Sequence, residues 1–251
     1  MKKGFWYVVK DIIRKADIIL EVLDARMPEI TRNKRMEAYA ASLGKQLILV
    51  INKADIVSAD TLTKIRERYQ GLDYLLLSSK TSAGLSDLYR LIRSRVKKEA
   101  TKIAFIGYPN TGKSSLLNKL SKGGIARTSP ESGFTRGLQL IKGRNGLMLF
   151  DTPGVVPFED RDEIRLGLMS GISPSKLDNP DIVAYELIKL LKMNNPSSLE
   201  KEYGVNPSLE PEEILLELAK KWNMLGKGGI LDERRAAIHF MIDWHKGKIR
   251  L

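Results

Sequence analysis

The stretch Gly107-Tyr108-Pro109-Asn110-Thr111-Gly112-Lys113-Ser114 fits G-x-x-x-x-G-K-S/T, a spacing that lets a backbone wrap a polyphosphate. Glycines at both ends let the chain turn so that successive N–H groups point inward. A helix beginning at Lys113 adds the partial positive charge of its N-terminus. Lys113 is placed to reach the β- and γ-phosphates and Ser114 to offer a hydroxyl to Mg²⁺, with Pro109, Asn110, Thr111, Gly112 and Ser115 completing the nucleotide contacts. The motif carries this meaning only between a strand and a helix. The apolar run 102–106 before it and 115–120 after it supply that context.

A second constellation is Asn52-Lys53-Ala54-Asp55, at the end of the apolar run 46–51. Open α/β sheets take their ligands at the carboxyl ends of strands. A carboxylate at Asp55 can accept from guanine N1–H and the exocyclic amine, and adenine offers neither there. Such a buried acceptor rejects the wrong base because it would otherwise go unpaired. Asn52 would meet the far edge of the base and tie its loop to the phosphate loop, and the Lys53 stem would lie over the purine. Ser78-Ser79-Lys80 follows another apolar run and could bring a backbone N–H to guanine O6. Further on, Thr135 in Gly133-Phe134-Thr135-Arg136-Gly137 is the candidate to close on Mg²⁺ when a γ-phosphate is present. Asp151-Thr152-Pro153-Gly154 offers a carboxylate to hold Mg²⁺ through water, and a Gly154 N–H to sense the γ-phosphate.

The elements that must position these residues follow from periodicity. Apolar side chains at 5, 8, 9, 12 and 13 form a helical stripe; runs at 18–23, 46–51, 74–77 and 102–106 read as strands, with helices over 60–69 and from Gly84 onward. Residues 137–143 and 145–150 read as a hairpin around Gly143-Arg144-Asn145-Gly146. Strands alternating with helices predict an α/β fold, a mostly parallel sheet with helices on both faces. Beyond about 160 the strand signal stops. Helices are expected from Asn179-Pro180, from Pro211 and from Asp232, which makes a small all-α C-terminal domain. The expected division is 1–159 and 160–251.

Composition narrows the partners. The chain has 251 residues, 42 Lys and Arg against 30 Asp and Glu, and no cysteine. Disulfide frameworks and thiolate metal sites are excluded. No apolar run reaches the length of a membrane span, so no membrane partner is expected and the cytoplasm is the expected compartment. The net charge of +12 is uneven: residues 1–159 carry 28 basic and 15 acidic side chains, 160–219 carry 6 and 12, and 220–251 carry 8 and 3. That pattern predicts a polyanionic partner besides a nucleotide. Lys220, Lys221, Arg234, Arg235, Lys246, Lys248 and Arg250 are candidates for phosphate contacts, or else a solvated helix face. Trp222 and Trp244 sit at helical core spacing and read as core.

Together the motifs resemble those of translation-factor-type GTPases, but in rotated order, because the base-reading tetrad at 52–55 precedes the phosphate loop at 107–114. That order is similar to the circularly permuted GTPases of the YlqF/YawG family. Asp24-Ala25-Arg26, with Pro28, Arg32 and Asn33, resembles the Asp-Ala-Arg motif of the same group. The match covers roughly the first 160 residues. It implies a circularly permuted P-loop GTPase fold and a GTP/GDP-binding, Mg²⁺-dependent GTPase of large-subunit ribosome assembly. The implied partners are rRNA and the large ribosomal subunit or its precursor, without DNA, for a protein acting as a monomer. Arg26 and Arg32 join the candidates for RNA contact. Two departures stand out. Val155 occupies the place where Ras-like enzymes carry a water-orienting glutamine. The histidine that bacterial YlqF members carry near the N-terminus is missing, the two histidines here being His239 and His245. Relatives with the Gly-x-Pro-Asn-x-Gly-Lys-Ser form often bind K⁺, so Asn110 either helps to hold K⁺ or braces the loop. Lys113, Thr135, Gly154 and Asn110 are the expected catalytic set. Three readings compete: a hydrolysing switch, a nucleotide-gated RNA-binding module with negligible turnover, and a P-loop kinase, against which the guanine tetrad argues. The rotated order also runs the segment after Gly154 straight into the helical region, so γ-phosphate contacts at Thr135 and Gly154 are expected to reorient it.

Overall fold

A computed structural model describes residues 4–96, 100–122, 140–150 and 162–251. Thr135, Asp151, Gly154 and Val155 lie outside the described residues. The chain divides into two compact units: Met1–Asp55 with Leu62–Phe158, and Ile56–Thr61 with Glu159–Leu251.

The first unit is built on a sheet in the order β3-β2-β1-β4-β6-β5. Its strands are β1 (Ile18–Asp24), β2 (Gln46–Asn52), β3 (Tyr74–Leu76), β4 (Thr101–Ile106), β5 (Leu140–Lys142) and β6 (Leu147–Phe150). All neighbours pair parallel except β5, which runs antiparallel to β6. The expected hairpin is therefore present, closed by a 3-10 turn at Arg144–Gly146. Helices α1 (Gly4–Lys15), α2 (Pro28–Thr31), α3 (Lys34–Ser42), α4 (Ala59–Tyr69), α5 (Leu85–Arg95) and α6 (Lys113–Leu120) complete it.

Side-chain alternation sorts the core into two layers. Ile18, Leu20 and Val22 of β1 pack with Ile48, Val50, Ile103 and Phe105 against Leu88 and Ile92 of α5 and Leu116, Leu117 and Leu120 of α6. Ile19 of β1, with Ala104 and Ile106, meets Val9, Ile12 and Ile13 of α1, Ala16 just after it, and Met36 and Ala40 of α3. A parallel sheet covered on both faces needs near-continuous apolar strands, and β1 is buried along its whole length.

One residue breaks that rule. Glu21 sits in β1, fully buried. Its Oε1 accepts the Asn33 N–H at 2.6 Å, while Oε2 has no hydrogen-bond partner. Asn33 in turn caps α3 by accepting from the Met36 N–H at 3.1 Å. The carboxyl thus holds the entry of α3 from within the sheet.

The second unit is helical: α7 (Glu163–Leu168), α8 (Pro180–Asn194), α9 (Ser197–Tyr203), α10 (Pro211–Lys221) and α11 (Glu233–His245). Helices α8, α10 and α11 start where their proline and cap residues predict. Glu210 and Glu213 form a capping box around Pro211, and Asp232 accepts from the Arg235 N–H at 2.9 Å. α7 and α9 carry no readable apolar stripe. α7 is held from outside, by Trp244 Nε1–H on the Leu168 carbonyl at 2.8 Å and His245 Nε2 on the Gly167 carbonyl at 2.7 Å. These two bonds take up carbonyls that a helix end leaves open. The segment Ile56–Thr61 belongs to this unit, with the Ser58 N–H donating to the Leu251 carbonyl at 3.4 Å. Among the described residues no helix is long and apolar enough to cross a membrane.

Glu21 generates a stability prediction. Burial pushes its carboxyl up to about 8, against the pull of the Asn33 N–H, and Glu37 adds to the rise. It is neutral in the fold at pH 7 and ionises near 4.5 when unfolded. Its contribution is complete below about 4.5 and is lost as pH rises through about 8. Glu21→Gln is expected to flatten the fall of the thermal midpoint across that window. An identical slope in the variant would mean that Glu21 is already ionised in the fold.

Candidate functional site

The strand order reverses direction between β1 and β4. From β1 the chain runs outward through β2 and β3; β4 lies on the other side of β1, and from it the chain goes to the far edge as β5 and returns as β6. Such a switch point leaves a crevice at the carboxyl ends of the strands. Into that crevice the sheet delivers Asp24 from β1, Asn52 from β2 and Gly107 from β4. Asp24 and Asn52 are direct register partners.

The phosphate loop joins β4 to α6 as expected. Gly107 has φ +135°, and a Cβ there would come within 2.5 Å of the Val22 carbonyl oxygen. Gly112 has φ +98°, and a Cβ there would run into the Asn52 amide. Both positions need glycine. Asn110 is exposed and left-handed, with φ 58°. Thr111 is buried and its hydroxyl donates to the Tyr108 carbonyl at 3.0 Å. Lys113 is buried too, its ammonium donating to that same carbonyl. A buried ammonium resting on one backbone oxygen at a helix N-terminus suits an incoming phosphate oxygen. Ser114 and Ser115 are half-buried in the first turn of α6.

Asn52 closes the site. Its Nδ2 donates to the Thr111 carbonyl at 2.8 Å and to Ser79 Oγ at 3.1 Å, and its Oδ1 accepts the Ser79 N–H at 2.8 Å. One fully buried carboxamide joins the tetrad loop, the phosphate loop and the Ser78-Ser79-Lys80 loop. The Ser78 N–H donates to the Ala83 carbonyl at 3.0 Å, its Oγ accepts from the Thr81 N–H at 3.1 Å, and Lys80 is exposed. Asp55 is half-buried within the 3-10 turn Ala54–Ile56.

A cluster behind the tetrad was not legible from spacing. Asp24 is buried and accepts from the Arg26 N–H and Nε at 3.0 Å each, from Arg26 Nη2 at 2.7 Å and from Lys53 Nζ at 2.7 Å. The Ala25 N–H donates to the Asn52 carbonyl at 2.8 Å, and Thr31 Oγ1 accepts the Asp24 N–H at 3.0 Å. Burial would raise the Asp24 carboxyl, but Arg26 and Lys53 outweigh it and hold it well below the usual carboxylate range. Burial pushes the Lys53 ammonium down, against the opposing pull of Asp24. Asp24 is the charge that fixes the cluster, and it grips Lys53 in its left-handed conformation, φ 65°. Arg26 therefore spends its guanidinium inside the fold.

The other candidates for RNA contact are placed as follows. Arg32 pairs with Glu37 at 2.5 Å. Lys221 donates to the carbonyls of Tyr203 and Gly204, Arg234 to those of Leu177 and Asp178, and Lys248 pairs with Asp243 at 2.8 Å. Lys220, Arg235, Lys246 and Arg250 are exposed. Of the residues expected to hold Mg²⁺, Ser114 is described, and among the described residues no group of three or more His, Cys, Asp or Glu gathers for a metal.

A parallel sheet with a glycine phosphate loop at its switch point, bonded through an asparagine to a base-side tetrad, defines a P-loop guanine-nucleotide-binding fold. Comparisons agree. Residues 102–187 match the family described as 50S ribosome-binding GTPase. An uncharacterised GTP-binding protein of Methanocaldococcus jannaschii is 35% identical over 96% of this chain and 65% of its own length. The GTPase grn1 of Schizosaccharomyces pombe is 32% identical over 99% and 61%, and the nuclear GTP-binding protein NUG1 of Saccharomyces cerevisiae 31% over 99% and 55%. The chain thus spans between about half and two thirds of the length of these relatives. GDP-bound YlqF superposes with a TM-score of 0.67 at 24% identity, covering 96% of this chain and 95% of that one. YlqF of T. maritima bound to GNP gives the same score. The chain thus has the fold of YlqF, and its residues 102–187 match the GTPase family model.

Removing the central carboxylate tests the cluster. Asp24→Asn leaves two buried cations without their counter-charge and is expected to cost about 3–5 kcal/mol of stability in urea melts. It is also expected to weaken GDP binding through the loosened Lys53. A loss below about 1 kcal/mol, the range of an exposed pair, would show that the cluster holds nothing.

Proposed function

We propose that this chain is a GTP-hydrolysing switch that acts on the large ribosomal subunit or its precursor, with its GTPase core in residues 1–159 and an RNA-contacting helical region in 160–251. The observation that carries the reading is the Asn52 carboxamide, which makes guanine loop and phosphate loop a single body around one nucleotide. The family description matched by residues 102–187 supports the ribosomal partner. The reading includes action as a monomer in the cytoplasm.

Asp55 takes guanine N1–H and the exocyclic amine, and the Lys53 stem, anchored on Asp24, covers the purine. A backbone N–H of the Ser78-Ser79-Lys80 loop meets O6. The amides from Pro109 to Ser115 cradle the phosphates, and Lys113 exchanges the Tyr108 carbonyl for phosphate oxygens. Ser114, Thr135 and Asp151 would hold Mg²⁺, which supplies positive charge against the phosphates. Gly154 N–H contacts the γ-phosphate. Val155 has no group to polarise water, so intrinsic turnover is expected to be slow, on the order of unassisted GTPases. A backbone group or the ribosome then orients the water. In a competition assay GTP and GDP are expected to displace a labelled guanine nucleotide while ATP does not; ATP taken up equally well would overturn the assignment. Phosphate release under multiple turnover separates the switch from the second reading, a nucleotide-gated RNA binder, which Val155 favours.

Asn110, exposed at the mouth of the loop, is the proposed K⁺ ligand, with the ion supplying charge to the transferring phosphoryl group. Turnover is expected to be faster in KCl than in NaCl at equal ionic strength, and Asn110→Ala should abolish the difference. Equal rates for the wild-type chain would remove the potassium role.

A further inference from the structure

Four aromatic side chains climb from the core of the helical unit to its surface. Phe240 of α11 is fully buried. Tyr203, at the end of α9, lies 5.7 Å from it between ring centroids. Trp222, the C-cap of α10, meets Tyr203 edge-on at 5.6 Å and 80°. His239 of α11 lies 4.5 Å beyond Trp222, tilted by 54°. The lower steps are locked. The Tyr203 hydroxyl donates to Asp243 at 2.9 Å, Lys248 reaches the same carboxylate and lies 5.1 Å from the Tyr203 ring, and Lys221 fixes the carbonyls of Tyr203 and Gly204. The top step is open, with the His239 side chain 45% exposed.

The surroundings of that top step are cationic. Arg235 and Lys246 flank His239 at i−4 and i+7 on α11, one helical face. Lys220 lies in the last turn of α10, two residues before Trp222. These three side chains are exposed and enter no ion pair among the described residues. Of the three acids of residues 220–251, Asp232 caps α11 and Glu233 takes the Tyr185 hydroxyl, while the buried Asp243 accepts from Tyr203 and Lys248 and lies 3.9 Å from His239 Nε2. A core-only role accounts for Phe240 and Trp244. It does not account for a ring pair carried out to solvent among unpaired cations.

We propose that the Trp222–His239 step is a stacking site for an unpaired base of single-stranded RNA, with Lys220, Arg235 and Lys246 taking the flanking phosphates. Every base offers a π-face, so such a platform is tolerant of sequence and selects single strands over duplex. The rings are set by the packed steps beneath them, so little freedom is lost when a base lands. This site rests on the RNA-contacting role proposed above and names the chemistry of that contact.

The test uses the full chain loaded with GDP and a fluorescein-labelled oligouridine of about twelve nucleotides, within the footprint of known single-strand binders. Anisotropy is expected to show tighter binding to the single strand than to its duplex with oligoadenylate. His239→Ala and His239→Leu should each weaken it about five- to tenfold, within the range reported for one stacked base. His239→Tyr, which keeps a ring and loses the imidazole, should bind as the wild type does. Arg235→Ala should weaken binding and reduce its salt dependence. His239 is half-buried at the surface and outside the hydrophobic core, so its variants are expected to keep a melting temperature close to that of the wild type. Unchanged binding by His239→Ala, equal affinity for duplex, or equal competition by polyglutamate would each overturn the stacking site. Co-sedimentation with large subunits separates the two levels. If the wild-type chain and the ring variants sediment alike while Arg235→Ala does not, the ribosomal reading stands and the stacking site falls. If the wild-type chain fails to sediment with any nucleotide, the ribosomal reading itself falls.

Discussion

A single carboxamide sets the shape of the site. Asn52 bridges to loops 27 and 59 residues further along the chain. It has no access to water, so each of its polar atoms must find its partner inside the protein. Thr111 and the two Ser79 groups answer that demand, and they do so only if three loops stand at fixed separations. The close approach also explains the glycine at 112, where any side chain would displace the Asn52 amide. The 52–55 loop, the phosphate loop and the Ser78-Ser79-Lys80 loop thus depend on the same few ångströms of packing.

This dependence explains how the rotated motif order is tolerated. The contacts that matter link the ends of β1, β2 and β4, which neighbour one another in the sheet whatever the order in which the chain visits them. Register pins Asp24 beside Asn52, and the Ala25 N–H bonds to the Asn52 carbonyl. The base-side half of the sheet carries its own clamp in Asp24, Arg26 and Lys53. That clamp holds the tetrad before the phosphate loop is reached in sequence.

How much was legible follows from what each feature depends on. The strands of the sheet, the phosphate loop and the helices α8, α10 and α11 were readable because alternation, glycine spacing and caps are local signals. β5 and β6 appeared as a hairpin for the same reason, through Gly143 and Gly146. Glu21 was hidden, since a lone acid in an apolar strand shows neither its burial nor its partner twelve residues away. The clamp was hidden too. Asp24-Ala25-Arg26 was readable only as a motif resemblance that made Arg26 a candidate for RNA contact, and only the fold shows that its arginine and Lys53 share one carboxylate. α7 is capped at its start by Asp162, but its C-terminal end is held by Trp244 and His245, more than 70 residues on, a dependence that no window of sequence contains. Trp222 and Trp244 have similar spacing in sequence. Trp244 is fully buried and Trp222 only in part, because the end of α10 falls between core and surface.

α11 gathers these threads. One side of it, Ala236, Ala237, Phe240, Met241 and Trp244, is core, and from that side it supports α7 and packs on α8. The other side carries Arg235, His239 and Lys246. A helix buried on one face and fixed by a cap at Asp232 cannot rotate its second face without breaking its first. The cations there are consequently presented in a set geometry rather than as mobile surface charge. The acidic excess of residues 160–219 and the basic excess of 220–251 divide one helical unit by charge. The exposed face of α11 lies in the basic part of that division. What the unit offers there is a spaced row of cations around a ring pair, which matches the alternation of phosphate and base in an unpaired strand.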